Sequence, residues 1–93
     1  MIQSFADKET RRLWERGRSR KVPADPQRRA LIRLAVLNAA ASLEVLRAVP
    51  GNRLEKLSGD RAGQHSVRIN EQYRVCFVWE SGDAYEVEVT DYH

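Results

Sequence analysis

Apolar side chains recur at two different spacings along this chain. Between residues 25 and 49 they return every three or four positions, and from residue 65 onward they return at every second position. A spacing of about 3.6 residues is typical of an amphipathic helix, and strict alternation is typical of a strand with one buried face. The pattern therefore predicts helices in the first half of the chain and a sheet in the second half.

The N-terminal segment is predicted to contain a short strand, a helix and a basic loop. The strand is MIQSF, and the helix lies within DKETRRLWERGRSRK. Asp7 is the expected N-cap, and Gly17 is expected to end the helix. The expected buried anchors are Leu13 and Trp14. The loop that follows is strongly basic, with Arg16, Arg18, Arg20 and Lys21 close together.

The clearest helix is predicted within ADPQRRALIRLAVLNAAASLEVLRAVP. Asp25 is the expected N-cap, and Pro26 fits the first turn because its missing N–H needs no partner there. The pattern continues through Leu43, Leu46 and Val49, either in the same helix or in a separate short one. Pro50 and Gly51 are expected to end it.

This helix is predicted to bury one stripe and expose another. The buried stripe is Leu31, Leu34, Ala35 and Asn38, widened by Ile32, Val36 and Ala39. The exposed stripe is Arg28, Arg29 and Arg33.

Three strands are predicted in the second half: HSVRIN, YRVCFVWE and AYEVEVTDYH, the last two joined by the hairpin turn SGD. In the middle strand Tyr73, Val75, Phe77 and Trp79 share one face, opposite Arg74, Cys76 and Val78. In the last strand Tyr85, Val87 and Val89 alternate with Glu86, Glu88 and Thr90. Helices must cover one face of such a sheet. We therefore expect an α+β fold in a single domain over residues 1–93, with an N-terminal strand and two to three helices packed on a small twisted antiparallel sheet.

Composition narrows the class of protein. With 93 residues, the chain is sized for one compact core. No apolar run approaches the roughly 18 residues that cross a bilayer, and the N-terminus lacks a signal peptide, so we expect a cytoplasmic protein without a membrane partner. Cys76 lies between Val75 and Phe77, which predicts a buried structural thiol.

Charge is distributed unevenly along the sequence. Residues 1–50 carry 11 basic and 5 acidic side chains, a net charge of +6, whereas residues 51–93 carry 5 and 8, a net charge of −3. Such asymmetry can steer a polyanion toward one face, or it can simply solvate surface helices.

The candidate chemistry is metal-free. One Cys and two His, the latter 28 positions apart, make no recognisable ligand cluster, and phosphate-loop and serine-hydrolase signatures are absent. Arg68 and Arg74 lie on neighbouring predicted strands, where they can form an anion site. The alternative is that they pair with Glu86 or Glu88 on the adjacent strand.

The chain ends on Asp91, Tyr92 and His93. The imidazole can exchange protons near neutral pH, the phenol can donate a hydrogen bond or stack on a base, and the carboxylate can orient the imidazole or act as a base itself. The alternative is an ordinary terminus that tolerates change.

The segment from Asn52 to His93 resembles the HigB toxins of bacterial toxin–antitoxin systems, which belong to the RelE/ParE superfamily. Its specific parts are GDR at Gly59–Arg61, SVRINEQYR at Ser66–Arg74 and the terminal DYH. The resemblance implies a RelE/ParE-like fold and a ribosome-dependent, metal-independent mRNA endonuclease that inhibits translation and arrests growth. It implies no cofactor, a HigA-type helix-turn-helix antitoxin as partner, and operator DNA bound only through the antitoxin complex.

The resemblance also assigns roles to residues. It makes Asp91 and His93 the acid and base, Tyr92 a positioning or stacking group, and Arg74 with Arg68 a phosphate clamp, which would yield a 2′,3′-cyclic phosphate and a 5′-hydroxyl. Many relatives carry Lys at the position of Ser58 and an aromatic residue at that of His65, where a stacking group or a plain strand residue is expected. The expected contacts with mRNA or ribosomal RNA are Arg18, Arg20, Lys21, Arg53, Lys56 and Arg61, with Arg28, Arg29 and Arg33 beside them.

Two alternatives to the nuclease remain open from the sequence. One is a ParE-like inhibitor of DNA gyrase that cuts no RNA. The other is a catalytically weakened module that binds RNA or the antitoxin, and the basic loop suits an acidic antitoxin segment as well as it suits RNA.

Overall fold

The computed structural model describes residues 1–91 and confirms the α+β class. Three helices, α1 (Lys8–Arg16), α2 (Ala24–Ala39) and α3 (Leu43–Ala48), precede four strands. The strands are β1 (Glu55–Lys56), β2 (His65–Arg68), β3 (Tyr73–Glu80) and β4 (Asp83–Asp91), with a 3₁₀ turn (Gly59–Arg61) between β1 and β2. They form one antiparallel sheet in the order β1-β2-β3-β4. Over residues 1–91, no helix has both the length and the apolar character that a membrane crossing requires.

Helix α1 begins and ends where the sequence predicts. The side chain of Asp7 accepts a hydrogen bond from the backbone N–H of Thr10 at 2.9 Å. Gly17 adopts a left-handed φ of 78° and its N–H donates to the carbonyl of Leu13 at 2.9 Å. Thr10 fastens α1 to the sheet, because its hydroxyl accepts from the N–H of Val89 in β4 at 3.0 Å.

Helix α2 departs from the prediction in its start and in its buried stripe. The helix begins at Ala24 with Pro23 in the N-cap position, so Asp25 lies in the first turn and is not the cap. The buried residues are Pro26, Ala30, Leu34 and Leu37. Ala35 is exposed and Ile32 is 54% exposed. Apolar residues outnumber the positions that one helix face can bury, so periodicity alone leaves neighbouring stripes open.

The structure also decides the predictions for the end of the helical region and for the N-terminal strand. Helix α3 is a separate short helix, capped by Ser42, whose hydroxyl accepts from the N–H of Val45 at 3.3 Å. The predicted N-terminal strand is present only as two isolated parallel bridges, Ile2 to Ala84 and Phe5 to Val87. The two-residue strand β1 was not predicted, since two residues carry no readable alternation.

A β-bulge changes which residues of β4 face the core. The pairing shifts by one residue between Cys76 opposite Glu88 and Val78 opposite Tyr85, and Glu86 adopts a φ of 52°. Tyr85 therefore shares a face with Val78, and the prediction that it lies with Val87 and Val89 is wrong. Ala84, opposite Trp79, is fully buried instead. An inserted residue resets the alternation of a strand.

The core lies on the helix-covered face of the sheet, where Val67, Val75, Phe77, Val87 and Val89 pack against Leu13, Leu34, Leu37 and Leu46. The second face of the sheet carries Ser66, Arg68, Arg74, Cys76 and Glu88. Cys76 is fully buried there, and burial raises the pKa of its thiol, so the prediction of a buried structural thiol is confirmed.

Candidate functional site

Arg68 and Arg74 are directly opposite each other on β2 and β3. The turn between the strands is tight because the side-chain oxygen of Asn70 accepts from the N–H groups of Gln72 at 2.9 Å and Tyr73 at 2.7 Å. Directly opposed residues of an antiparallel pair point to the same face, and like charges in that arrangement repel. The pair is therefore expected to favour an anionic ligand.

The guanidinium group of Arg74 is held by neighbouring residues. Its Nε donates to the hydroxyl of Ser66 at 2.7 Å, its Nη2 donates to the carbonyl of Arg53 at 2.7 Å, and its Nη1 lies 4.0 Å from Glu55 Oε1. The residue is 8% exposed. These contacts fix the plane of the group, as a site that recognises a particular phosphate geometry requires. Arg68 Nε donates to the carbonyl of Asn70 at 3.1 Å.

The alternative pairing of these arginines with Glu86 or Glu88 does not occur within residues 1–91. Glu88 forms ion pairs with Arg61 at 3.3 Å and with Lys21 at 3.7 Å instead. Arg74 Nη1 lies near the carboxylate of Glu55, on the unpredicted strand β1.

A cleft of about 290 Å³ lies beside the two arginines. We call it the clamp cleft; its lining residues are Arg53, Glu55, Arg68, Asn70, Glu71 and Arg74. Its volume is near the lower end of small-ligand pockets, about 300 Å³, which suits one nucleotide and its phosphodiester. Within the described range, no three His, Cys, Asp or Glu side chains are grouped as metal ligands.

Arg53 and Glu55 line the clamp cleft because strand β1 pairs with β2. Arg53 was a predicted RNA contact, and its backbone adopts a φ of 46°. Glu55 was missed by the sequence analysis. It pairs with Ser66, which places it on the second face with Arg74. The only sequence signal for it was an acidic residue shortly before the GDR motif.

Asp91 is the last described residue and lies beside this region. It pairs with Tyr73, and its Oδ2 accepts from Gln72 Nε2 at 2.9 Å. By register its Cβ is on the face of Tyr73, while Thr90 is opposite Arg74. Tyr92 and His93 lie outside the described residues, so the acid and base roles assigned to the terminus stay predictions.

Two predicted RNA contacts are engaged in an ion-pair network on the second face. Lys21 Nζ lies 2.5 Å from Asp7 Oδ2, and Arg61 Nη1 lies 3.0 Å from Gln64 Oε1. Both cations also pair with Glu88. Burial pushes the pKa of Asp7 upward, but hydrogen bonds from Lys21 and Thr10 outweigh it and leave the pKa below its usual value. Lys21 and Arg61 thus tie α1 and the 3₁₀ turn to the sheet.

Arg18 and Arg20 lie away from the clamp cleft. They line a separate hollow of about 400 Å³ with Arg12, Arg16 and Ser19, which we call the loop hollow. Glu9 fixes the loop by accepting from the backbone N–H of Arg20 at 2.9 Å. Arg12 and Arg16 are four residues apart on one face of α1, so the loop and the helix together present four guanidinium groups.

The three arginines predicted to be exposed on α2 have different environments. Arg28 and Arg29 are exposed and line a hollow of about 560 Å³ that shares Asn70 with the clamp cleft. Arg33 does not simply face solvent, because its Nη1 donates to Asn52 Oδ1 at 2.7 Å. Burial, assisted by the charge of Arg29, lowers the pKa of Arg33.

Lys56, His65 and Ser58 lie outside the clamp cleft. Lys56 pairs with His65, whose ring stacks on Phe77 with centroids 6.1 Å apart on the helix-covered face. Burial, with the charges of Lys56 and Arg47, lowers the pKa of His65. These contacts indicate that His65 is a structural residue of β2 and does not stack on RNA. Ser58 is exposed just before the 3₁₀ turn.

Comparisons with known proteins agree with the motifs of the sequence. A family model described as the RelE-like toxin of type II toxin–antitoxin system HigB matches residues 3–93. The chain is 38% identical over 85 residues to Toxin HigB-1 of Vibrio cholerae serotype O1, covering 90% of each sequence. It is 35% identical over 94 residues to Endoribonuclease HigB of Proteus vulgaris, covering 100% of both.

A solved structure shares the fold at low sequence identity. It is the YoeB–YefM complex from Staphylococcus aureus, matched with a TM-score of 0.62 and 14% identity over 100% of this chain and 98% of that one. The motif resemblance is confirmed by the match over nearly the whole sequence. The chain belongs to the HigB-like family of RelE-like toxins from type II toxin–antitoxin systems.

Proposed function

We propose that the protein is a ribosome-dependent mRNA endonuclease that inhibits translation, and that Arg68 and Arg74 clamp the scissile phosphate. The observation that carries this proposal is the direct opposition of Arg68 and Arg74 on β2 and β3 beside a cleft of about 290 Å³ that both residues line. A relative that matches the full length of the chain is named an endoribonuclease. Both observations support a nuclease over a binding module.

The proposed reaction uses the ribose of the substrate as nucleophile. A base removes the proton of the 2′-hydroxyl, the oxygen attacks the adjacent phosphorus, and an acid protonates the departing 5′ oxygen. The products are a 2′,3′-cyclic phosphate and a 5′-hydroxyl. Negative charge grows on the phosphoryl oxygens in the transition state, where two preorganised guanidinium groups stabilise it. This chemistry needs no cofactor.

Asp91 and His93 are the proposed acid and base, and Tyr92 is the proposed group that stacks on or positions a nucleotide. Strand β4 places Thr90 opposite Arg74 and Asp91 opposite Tyr73, so Asp91 is one residue beyond the position that faces the clamp. Glu55 adds a second carboxylate that lines the clamp cleft itself. A carboxylate in that position offers the same proton-accepting chemistry as Asp91.

The loop hollow is the proposed contact with ribosomal RNA. Four arginines surround it, and clustered cations bind backbone phosphates without reading sequence. Arg28 and Arg29, whose hollow adjoins the clamp cleft at Asn70, are proposed to bind the RNA strand next to the cut. Lys21 and Arg61 are assigned a smaller part, because each already pairs with Glu88.

Membership of a type II system implies a protein antitoxin as partner. The finer proposal is a HigA-type helix-turn-helix protein that silences the toxin and brings it to operator DNA as a complex. An acidic antitoxin segment is the alternative occupant of the loop hollow. Action on translating ribosomes would place the protein in the cytoplasm.

The proposal is tested with purified protein, translating ribosomes and a defined messenger. Breaks mapped by primer extension are expected on translated messenger and are expected to be scarce on free messenger, and the upstream fragments should end in a cyclic phosphate. A matched variant, Arg74→Lys, should cut much more slowly. Intact messenger together with inhibited DNA supercoiling by gyrase would replace the nuclease with the ParE-like alternative. Salt-sensitive RNA binding without any cut would indicate the weakened module.

A further inference from the structure

We infer that Asn52 and Arg33 are positioning residues that hold the clamp arginines in their working geometry. The inference rests on the proposed function for its catalytic consequence. Neither side chain lines the clamp cleft. Both act through the backbone of Asn52 and Arg53, which contacts each clamp arginine.

Every polar group of Asn52 has a partner. Its N–H donates to the carbonyl of Val49 at 3.2 Å, and its side-chain Nδ2 donates to the carbonyl of Leu46 at 3.0 Å. Its Oδ1 accepts from Arg33 Nη1 at 2.7 Å. The residue is 1% exposed. Because its side-chain nitrogen donates to one partner and its oxygen accepts from another, this buried amide has one favoured orientation, and it fixes the segment that joins α3 to β1.

This segment holds both clamp arginines. The carbonyl of Asn52 accepts from the backbone N–H of Arg68 at 2.6 Å. The next carbonyl, that of Arg53, accepts from Arg74 Nη2 at 2.7 Å. Two consecutive carbonyl groups therefore set the position of the strand that carries Arg68 and the plane of the Arg74 guanidinium group.

The backbone conformation of this segment requires such support. Arg53 adopts a φ of 46°, a region that non-glycine residues rarely occupy because of steric cost. The hydrogen bonds of Asn52 oppose relaxation of the segment from this conformation. If the segment relaxes, the carbonyl of Arg53 moves away from Arg74, and the guanidinium group loses the hydrogen bond that its Nη2 donates to that carbonyl.

Arg33 supports the amide of Asn52 from α2, and the packing around it leaves little space. A Cβ at Gly51 would lie 2.9 Å from Arg33 Nη2, and Gly51 has a φ of 83°. Glycine therefore permits both the turn and the close approach of the guanidinium group. The arrangement connects α2 to the clamp cleft through one side-chain hydrogen bond.

The effect on catalysis is expected in kcat more than in KM. A displaced clamp still attracts RNA by its charge, but it no longer matches the phosphoryl oxygens in the transition state. Misplacement of a catalytic group by about 1 Å can cost about 100-fold in rate. We expect Asn52→Ala and Arg33→Gln each to lower kcat by about ten- to 100-fold. Arg33→Lys, which keeps the charge and a donor, should recover part of the loss.

The experiment combines cleavage kinetics with a measurement that needs no activity. In ¹⁵N-labelled protein, solvent exchange of the Arg74 Nε–H proton reports its bond to Ser66, and Arg74→Lys assigns the signal by deleting it. Exchange is expected to be faster in Asn52→Ala and in Arg33→Gln. It should be unchanged in Arg47→Gln, a control on α3 whose side chain pairs only with Glu44 among the described residues.

A double-mutant cycle separates positioning from loss of stability. In an Arg74→Ala background, Asn52→Ala and Arg33→Gln should have a much smaller further effect on kcat, because Arg74 is gone and only the support of Arg68 remains to be lost. Full multiplicative effects there would overturn the inference, as would Nε–H exchange at the control rate in both variants. If the wild-type protein cuts no RNA, the proposed function fails, and the exchange rates still decide whether the positioning contact exists. Arg33→Gln keeps the test open if Asn52→Ala does not fold.

Discussion

The hydroxyl of Ser66 accepts a hydrogen bond from Arg74 Nε at 2.7 Å, and both side chains are almost completely buried. A buried charged donor without its acceptor costs about 1–3 kcal/mol or more. Ser66→Ala should therefore lower the free energy of unfolding by about 1–3 kcal/mol, measured by urea denaturation. Ser58→Ala, at an exposed position, serves as the control and should change it by less than about 0.5 kcal/mol. Equal values for the two variants would contradict the structural role given to this bond.

The two clamp arginines are expected to differ in their sensitivity to lysine. Arg74 is held in one plane by hydrogen bonds from its guanidinium group to Ser66 and to the carbonyl of Arg53, so Arg74→Lys loses the fork geometry and these tethers. We expect a fall in kcat/KM of about 100-fold for Arg74→Lys, the scale of a lost transition-state donor. Arg68→Lys should cost less, because Arg68 has a single side-chain hydrogen bond to protein within residues 1–91.

Ribosome-dependent cleavage assays measure this difference. Arg47→Lys is a matched control on a helix away from the cleft and should cut at the wild-type rate. Equal losses for the two clamp variants would mean that the tethers of Arg74 contribute nothing to its role.

The corrected stripe of α2 can be checked by truncation. Leu37 is fully buried and Ile32 is 54% exposed, although periodicity assigned only Ile32 to the buried side. Leu37→Ala should lower the free energy of unfolding by about 2–5 kcal/mol, since it removes apolar contacts and leaves a cavity. Ile32→Ala should lower it by less than about 1 kcal/mol. If Ile32→Ala lowered the denaturation midpoint more than Leu37→Ala, the buried stripe predicted from periodicity would be the correct one.

Asp7 is expected to make stability depend on acid pH. Its pKa in the folded protein is lower than the 3.8 of a free carboxyl, so folding favours the charged form. This contribution is complete above the pKa of the unfolded chain and is lost as the pH falls through the lower pKa of the folded protein. Thermal unfolding at pH 6, 4 and 3 should therefore show a larger loss for the wild-type protein than for Asp7→Asn.

The Asn side chain in this variant can still cap α1, so the comparison isolates the charge of Asp7 and its pairing with Lys21. Identical pH profiles for the two proteins would show that this ion pair does not favour ionisation.

Much of the site follows from local sequence. The alternation of β2 and β3 predicts that Arg68 and Arg74 share a face, and a tight turn at Asn70 then places them opposite each other. Asp7 and Gly17 mark the ends of α1 because capping is a matter of a few neighbouring residues. Family motifs add the identity of the toxin class, which agrees with the comparisons.

Other features depend on contacts between distant parts of the chain. The bulge at Glu86 moves Tyr85 off the core face, and the arrangement of α2 on the sheet selects Leu37 over Ile32. Glu55 and Arg53 reach the clamp cleft only because β1 pairs with β2. Lys21 and Arg61 have the same charge as their neighbours, but both pair with Glu88 on β4, and Lys21 also pairs with Asp7.

The sequence by itself determined the class of fold, the strand that carries each clamp arginine and the family. These depend on periods of two and 3.6 residues and on motifs, all of which are local. Only the tertiary structure decided how Arg74 is held and which cations are already paired. Those outcomes are set by hydrogen bonds and ion pairs between residues far apart in sequence, such as Arg33 with Asn52 and Arg61 with Glu88, and no local pattern records them.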